Sequence, residues 1–190
     1  MTESQATTPT PTRAAAFFDL DGTLIPGSAN IPLAKAAFRE GFVTPGELVK
    51  DLRNGVSFLV KGATDERSAQ VRDRILAAVA GRPASQVEAL GDHFMAELVA
   101  AIQPTMHAVL DDHREQGHDR IVLSASPTEI VSRFAREAGL EYGTGTTSER
   151  DRDGVYTGRL DGPFCYREGK VTTMRTLSEQ HGYDLSASYA

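Results

Sequence analysis

The 190-residue sequence predicts an α/β fold, with a doubly wound parallel sheet as its core and an all-helical cap inserted into that core. Three observations favour this class. Two short apolar runs, at residues 14–18 and 120–123, are typical of strands buried on both faces of a sheet. Segments with apolar residues at helical spacing flank the second run, as in strand–helix units. The chain between the two runs shows helix signals and no convincing strand.

The predicted core covers residues 13–27 and 105–190. Its elements follow in this order: a strand over 14–18, a helix over about 106–116, a strand over 120–123, a helix over 127–138 that ends at Gly139, a hairpin within 144–160 around the turn sequence DRDG, and a helix over 167–180. Ligands of open α/β sheets bind at the carboxyl ends of strands, so we expect the functional site at this edge.

The predicted cap covers residues 28–104. Capping boxes at Thr44–Glu47 and Ser85–Glu88 indicate two helix starts, because hydroxyl and carboxylate satisfy free backbone N–H groups there. An apolar face follows the second box, formed by Val87, Leu90, Phe94 and Leu98. The polar, Pro/Thr-rich residues 1–12 are interpreted as a disordered tail without the features of a signal peptide.

Composition excludes several classes of function. A net charge of −6 and a pI near 5.4 argue against a general surface for nucleic acid or anionic membranes. No apolar run is long enough to span a bilayer. Cys165 is the only cysteine, so no internal disulfide or cysteine-rich zinc site is possible. These features predict a cytoplasmic protein whose bound anions are held locally, by backbone N–H groups, single cations or a metal.

An acidic pair follows the first predicted strand. Asp19 and Asp21 repel each other and are costly to desolvate, which a bound cation and phosphoryl group would offset. One carboxylate can attack phosphorus while Mg²⁺, held by Asp19 and Asp21, reduces the repulsion between anions. The other can act as general acid and then general base. The turn at Gly22 and Thr23 can present N–H groups to phosphate oxygens. The alternative is a solvated Asp–Gly turn.

The sequence FFDLDGTL, which contains this pair, resembles the first motif of the haloacid dehalogenase superfamily of phosphatases and phosphotransferases. The helical insert resembles subfamily IB, which includes phosphoserine phosphatases. RIVLSASP resembles the second motif and implies that Ser124 supplies a phosphate-binding hydroxyl; the alternative is a helix cap. Gly169–Lys170 resembles the third motif and implies that Lys170 neutralises nucleophile and phosphate; the alternative is an ordinary exposed lysine.

The resemblance implies a Rossmann-like core and a Mg²⁺-dependent phosphomonoester hydrolase. It implies that Asp19 is phosphorylated by a small phosphorylated substrate and that Asp21 assists hydrolysis. A phosphotransferase or mutase of the same superfamily is the alternative within chemistry. A non-catalytic protein that binds a phosphate ligand, or has a regulatory role, is the alternative outside it. The charges in TDERSAQVRDR are interpreted as a solvated helix face; the alternative is that Arg72 or Arg74 of the cap reaches a substrate, and nothing in the sequence selects one.

Two departures from the family pattern carry expectations. Ser28 stands where phosphoserine phosphatases have a glutamate that holds the substrate's amino group, so no preference for phosphoserine is expected. The ending SASYA resembles the start of the strand that bears the fourth motif, whose metal-binding acids and remaining strands are absent from this sequence. We therefore expect residues 14–18 to form an exposed sheet edge, and Mg²⁺ binding and turnover to be weak.

Overall fold

The computed structural model describes residues 13–42 and 65–190. Its strands are β1 (Ala15–Asp19), β2 (Asp119–Pro127), β3 (Tyr142–Thr146), β4 (Ser148–Arg150) and β5 (Tyr156–Leu160). Its helices are α1 (Asn30–Arg39), α2 (Asp65–Val79), α3 (Ala84–Leu90), α4 (Met95–Ala100), α5 (Pro104–Glu115), α6 (Thr128–Glu137) and α7 (Glu168–His181), with a 3₁₀ turn at Gly91–His93. The predicted tail over 1–12 and the predicted capping box at Thr44–Glu47 lie outside the described residues.

The central sheet is parallel, with the strands in the order β1-β2-β3. Its register pairs Ala15 with Asp119 and Asp19 with Leu123. Asp19 therefore ends β1 at the level where Ser124 follows on β2. The predicted parallel α/β class is confirmed, and the ends of the first two strands meet at one edge, as strand direction requires.

Both faces of the sheet are covered, which explains the unbroken apolar sequence of its strands. Ala16 and Phe18 face a cluster that includes Phe134 of α6 and Met95 of the cap. The alternate residues, Ala15 and Phe17, face a second cluster with Leu177 of α7. Successive side chains of a strand point to opposite faces, so a strand between two helical layers must be apolar at every position.

The outer edge of β1 differs from the exposed edge that the sequence predicts. The amide of Tyr189 donates to the carbonyl oxygen of Ala15 at 2.9 Å, and the amide of Phe17 donates to that of Tyr189 at 2.8 Å. The amide of Ala15 donates to Ser188 Oγ at 3.0 Å. Tyr189 forms a parallel bridge with Ala16, as expected for the start of a further strand. The expectation of unpaired groups is therefore wrong for this part of β1.

The cap helices confirm the predicted helical insert, since no strand occurs within residues 30–42 and 65–103 of the described chain. The predicted capping box at Ser85 is wrong: α3 begins at Ala84, after Pro83, and no side chain caps it. The free amide of Ala84 instead donates to the carbonyl oxygen of Gly154 at 3.0 Å, so the serine hydroxyl is not needed there.

The apolar face after this point is buried as predicted, at 3–6% exposure for its four residues, but it spans α3, the 3₁₀ turn and α4 rather than one helix. The predicted hairpin is also confirmed, with β4 and β5 antiparallel and Ser148 opposite Leu160. Asp151 holds its turn by accepting the amide of Val155 at 2.9 Å. Within the described residues, no helix has the length and apolar character needed to cross a membrane.

Candidate active site

The turn after β1 places the two acids in different environments. Asp19 ends the strand with a side chain that is 44% exposed, while Leu20 is fully buried. Gly22 has a φ of +76°, a conformation that L side chains rarely adopt. Its amide donates to the carbonyl oxygen of Ile25 at 3.0 Å, and that of Thr23 donates to Leu20 at 3.4 Å. The predicted phosphate contacts from Gly22 and Thr23 are therefore not available in this conformation, because these amides close the turn.

Asp21 is held by residues at the start of the cap. One carboxylate oxygen accepts the amide of Ala29 at 2.8 Å, and the other accepts the hydroxyl of Ser28 at 3.2 Å. Burial raises the pKa of Asp21, and these two hydrogen bonds oppose that rise. A carboxyl group in this environment holds its proton to higher pH than an exposed aspartate, which suits a general acid.

Lys170 meets Asp19 across the site. Its Nζ lies 2.7 Å from Asp19 Oδ1, and its side chain is only 22% exposed. The lysine is the third residue of α7. The loop before this helix turns tightly, with the amide of Gly169 donating to the carbonyl oxygen of Tyr166 at 2.9 Å. Gly169 makes this approach possible, because a Cβ there would lie 1.7 Å from the carbonyl oxygen of Phe164. The alternative of an ordinary exposed lysine is therefore wrong.

Ser124 lies at the same edge and is fully buried. Its Oγ accepts the amide of Ser126 at 3.1 Å, leaving its hydroxyl proton for another acceptor. Helix α6 begins four residues later with no side-chain cap, so the alternative of a capping serine is wrong. The hydroxyl of Ser126 donates to Asn30 Oδ1 of the cap at 3.3 Å, which joins this loop to α1.

Cys165 is a neighbour of the site that the sequence did not single out. Its thiol is buried, with hydrogen-bonding contacts to the Thr173 hydroxyl and the Ser124 backbone. Burial raises its pKa, and the charges of Lys170 and Asp19 act on it in opposite directions. The thiol is therefore a neutral packing group beneath the site. A single cysteine in no chemical motif gave no signal from which this position could be predicted.

The donor set for a metal is small in the described part of the chain. No group of three or more His, Cys, Asp or Glu side chains there could hold a metal ion. Both carboxylate oxygens of Asp21 have protein partners, whereas Asp19 is open to solvent on one side. A carboxylate oxygen suits Mg²⁺, which readily keeps several waters. Among the described residues, the Asp19 carboxylate is therefore the side chain that suits a weakly held Mg²⁺.

The structure distinguishes the two cap arginines. Arg72 of α2 lines a small crevice with Ala125 and Pro127, just beyond Ser124, and its guanidinium stacks on Phe164 at 5.3 Å. It also pairs with Asp73. Arg74 is not part of this crevice. Of the two cap arginines, Arg72 is therefore the one that lines this crevice.

Comparisons with known proteins identify the family of this chain. The sequence model for haloacid dehalogenase-like hydrolases matches residues 16–190. A probable phosphatase of Mycobacterium tuberculosis is 32% identical over 182 residues, covering 94% of this chain and 62% of that protein. A phosphoserine phosphatase of the same organism is 30% identical over 174 residues, covering 90% and 56%. The chain thus spans about three fifths of the length of these relatives.

Solved structures show the same fold. A Bordetella pertussis protein of unknown function superposes with a TM-score of 0.75 at 27% identity, covering 93% of this chain and 79% of that one. A phospho-aspartyl intermediate analogue of phosphoserine phosphatase superposes with a TM-score of 0.54 at 20% identity, covering 93% and 76%. Because the family model matches almost the whole chain, the chain belongs to the haloacid dehalogenase-like hydrolase family.

Proposed function

We propose that this chain carries the catalytic machinery of a phosphomonoester hydrolase, with Asp19 as the nucleophile. The contact between Lys170 and Asp19, at 2.7 Å, is the observation that carries the proposal. An ammonium group beside the aspartate offers a cation to the incoming phosphoryl group. Attack of Asp19 on phosphorus would give an aspartyl-phosphate and release the alcohol, splitting a slow hydrolysis into two faster steps.

Asp21 is proposed as the proton donor and acceptor of this cycle. Its partly buried carboxyl group, with a raised pKa, can protonate the leaving oxygen in the first step. In the second step the resulting carboxylate can take a proton from the water that attacks the phosphorylated Asp19. The hydroxyl of Ser28 and the amide of Ala29 fix its direction in both steps.

The remaining site residues are proposed to bind the phosphoryl group. The hydroxyl of Ser124 and the Lys170 ammonium can contact its oxygens. Mg²⁺ would be held by the Asp19 carboxylate and the Asp21 main-chain carbonyl, and when bound it would reduce the repulsion between the nucleophile and the phosphate. Gly22 and Thr23 contribute by shaping the turn, since their amides are used within it.

The substrate is proposed to be a small phosphomonoester rather than phosphoserine in particular. Ser28, which occupies the place of the amine-binding glutamate, directs its hydroxyl to Asp21 and carries no charge. The relatives named as phosphoserine phosphatases show which class of ester to try first. A site that selects phosphoserine nevertheless needs an acidic side chain to pair with the substrate's ammonium group.

The experiment that tests the proposal compares the parent chain with Asp19→Asn. The variant should lose turnover of an aryl phosphate, since its amide is not a nucleophile. It should also fail to bind beryllofluoride, a mimic of the aspartyl-phosphate, as measured by fluorine NMR with Mg²⁺ present. Asp153→Asn, a similar change at an exposed residue of the hairpin turn, is the matched control and should behave as the parent does.

The possible outcomes separate the alternatives. Turnover retained in Asp19→Asn would refute the proposed nucleophile. Beryllofluoride binding by the parent without turnover of any ester would favour a phosphate-binding protein. Transfer of the phosphoryl group to an added alcohol or sugar in preference to water would favour a phosphotransferase.

A further inference from the structure

The hairpin β4–β5 joins the cap to the core at positions far apart in sequence. On the cap side its backbone pairs with the connection between α2 and α3. The carbonyl oxygen of Tyr156 accepts the amide of Gly81 at 2.8 Å, and the amide of Tyr156 donates to Arg82 at 2.9 Å. The amide of Ala84 donates to Gly154 at 3.0 Å. Three hydrogen bonds therefore attach the hairpin to the cap where α2 ends and α3 begins.

On the core side the hairpin is attached by side chains. The ring of Tyr156 is buried among Val79, Ala84 and Val87 of the cap. Its hydroxyl emerges from this cluster and donates to Glu129 Oε1 of α6 at 2.7 Å. Arg150 of β4 donates to the same oxygen at 2.7 Å, and the Glu129 side chain is 3% exposed. A buried carboxylate is stable only with such partners, so it fixes both hairpin strands to α6.

The hydroxyl of Tyr156 keeps its proton and so continues to donate its hydrogen bond to Glu129. Burial and the neighbouring Glu129 carboxylate both raise its pKa, so it stays protonated at physiological pH. A hydrogen bond from a neutral hydroxyl to a buried carboxylate is among the stronger classes of hydrogen bond in proteins. One side chain of the hairpin thus belongs to the apolar cluster of the cap and to a polar network of the core.

The hairpin also packs against the end of α2. Gly158 of β5 allows a close approach here, because a Cβ there would be 3.1 Å from the Cβ of Ala80, the residue that follows α2. Leu76 of α2 lines the crevice beside Ala125 and Pro127, immediately after Ser124. A shift of the hairpin therefore moves the wall of the cap that faces the loop of the candidate phosphate-binding serine.

We propose that the hairpin acts as a clasp between the core and the cap, with Tyr156 as the positioning residue. The side-chain bonds of the hairpin to α6 and its backbone bonds to the cap open together, and while they are closed they hold α2 over the Ser124 loop. An isolated two-stranded hairpin is marginally stable, so it keeps its position only while both attachments exist. The structural part of this proposal is independent of the enzyme's activity, and only its kinetic consequence rests on the proposed function.

Hydrogen exchange of single amides, followed by NMR in the full chain, tests the clasp through Tyr156→Phe. This change removes the hydroxyl and leaves the buried ring and all backbone bonds. If the attachments open together, loss of the core-side bond accelerates exchange at Gly81 and Ala84 on the cap side by roughly ten- to a hundredfold. The amide of Val122, in the central strand, keeps its exchange rate. Tyr142→Phe, at a residue that is 39% exposed, is the control and changes none of these amides.

Two results would overturn the clasp. Unchanged exchange at Gly81 and Ala84 would show that the cap-side bonds do not depend on the Tyr156 hydroxyl. Equal acceleration at Val122 would show that the hydroxyl stabilises the whole fold rather than the hairpin. If the parent hydrolyses a phosphate ester, Tyr156→Phe also raises KM by a larger factor than it lowers kcat, because the cap wall moves while the acids stay in place. Absence of turnover in the parent refutes the proposed function and leaves the exchange result to decide the clasp.

Discussion

Replacement of Gly169 by alanine is the sharpest test of how the site is assembled. A Cβ at this position would lie 1.7 Å from the carbonyl oxygen of Phe164, whereas real Cβ atoms essentially never approach a neighbour closer than 3.0 Å. The obstructing atom belongs to the backbone of Phe164, so it cannot be relieved by a change of side-chain rotamer. Either the loop or the first turn of α7 must therefore move by at least about 1.3 Å.

Gly169 lies in the first turn of α7, so the part of this displacement that the turn takes up moves Lys170, the next residue, directly. Its Nζ is 2.7 Å from Asp19 Oδ1, so a shift of this size takes the pair to the limit of an ion pair even before the side chain adjusts. Misplacement of a catalytic group by about 1 Å can reduce the rate by about 10²-fold. We therefore expect Gly169→Ala to lower kcat/KM for an aryl phosphate by about 10²-fold, and to weaken beryllofluoride binding correspondingly.

The matched control lies at the other end of the same helix. Gly182 has a φ of +72° and open space around it, so Gly182→Ala introduces backbone strain of about 1–2 kcal/mol without displacing Lys170. Both variants are compared below their unfolding temperatures, with circular dichroism as the check of folding. A Gly169→Ala variant that keeps parental turnover and beryllofluoride affinity would refute the reasoning. So would a Gly182→Ala variant that loses as much as Gly169→Ala does.

Three further outcomes are expected. Asp21→Asn should lower kcat/KM of an alkyl phosphate about 10²–10⁴-fold, and less for an aryl phosphate whose leaving group needs no proton; equal losses would exclude the acid role. Phosphoserine and an amine-free analogue should have kcat/KM values within about tenfold, because Ser28 carries no charge; a hundredfold preference, about 2.7 kcal/mol, would contradict this. Glu141→Gln should reduce the free energy of unfolding at pH 7 by about 1–2 kcal/mol, a value discounted because Glu141 is partly exposed. Burial raises the pKa of Glu141, but hydrogen bonds from Arg120 lower it by more, so the pKa is lower in the folded protein than in the unfolded chain. The stabilisation is therefore complete above the pKa of the unfolded chain, near 4.3, and is lost as the pH falls through the pKa of the folded protein. Urea unfolding between pH 3 and 7 should show the difference between parent and variant shrinking on acidification; a constant difference would count against the ion pair.

The sequence allowed the strand ends and the acidic pair to be predicted because both depend on neighbouring residues. A run of apolar residues that stops at Asp19 has few other interpretations, and parallel strands bring Asp19 and Ser124 to one edge. Lys170 was harder to predict, since a Gly–Lys pair is common. Its meeting with Asp19 depends on the loop before α7, where Arg167 has a φ of 46° that no local pattern announces.

Other features could not be predicted because their causes are tertiary. Amides at Gly22 and Thr23 were expected to face a ligand, but a turn can satisfy its own amides, and the sequence does not say which use prevails. The edge of β1 was expected to be exposed, but a few residues near Tyr189 are enough to pair with it. Cys165 lies under the site only because α7 packs on that face of the sheet.

The start of α3 shows how such a tertiary cause overrides a valid local signal. Ser85 and Glu88 have the spacing of a capping box, and in an isolated helix that box would satisfy the free amides. Here Pro83 pairs with Val155, and the Ala84 amide finds an acceptor in Gly154 of the hairpin, so the helix starts two residues early without its box. The amide of Ala84 thus donates to the carbonyl oxygen of Gly154, 70 residues away, instead of to a side chain of its own helix. A cap helix whose first turn depends on the hairpin cannot move independently of it. Because the Tyr156 hydroxyl anchors the hairpin on α6, we expect its removal to change the exchange rate of the Ala84 amide.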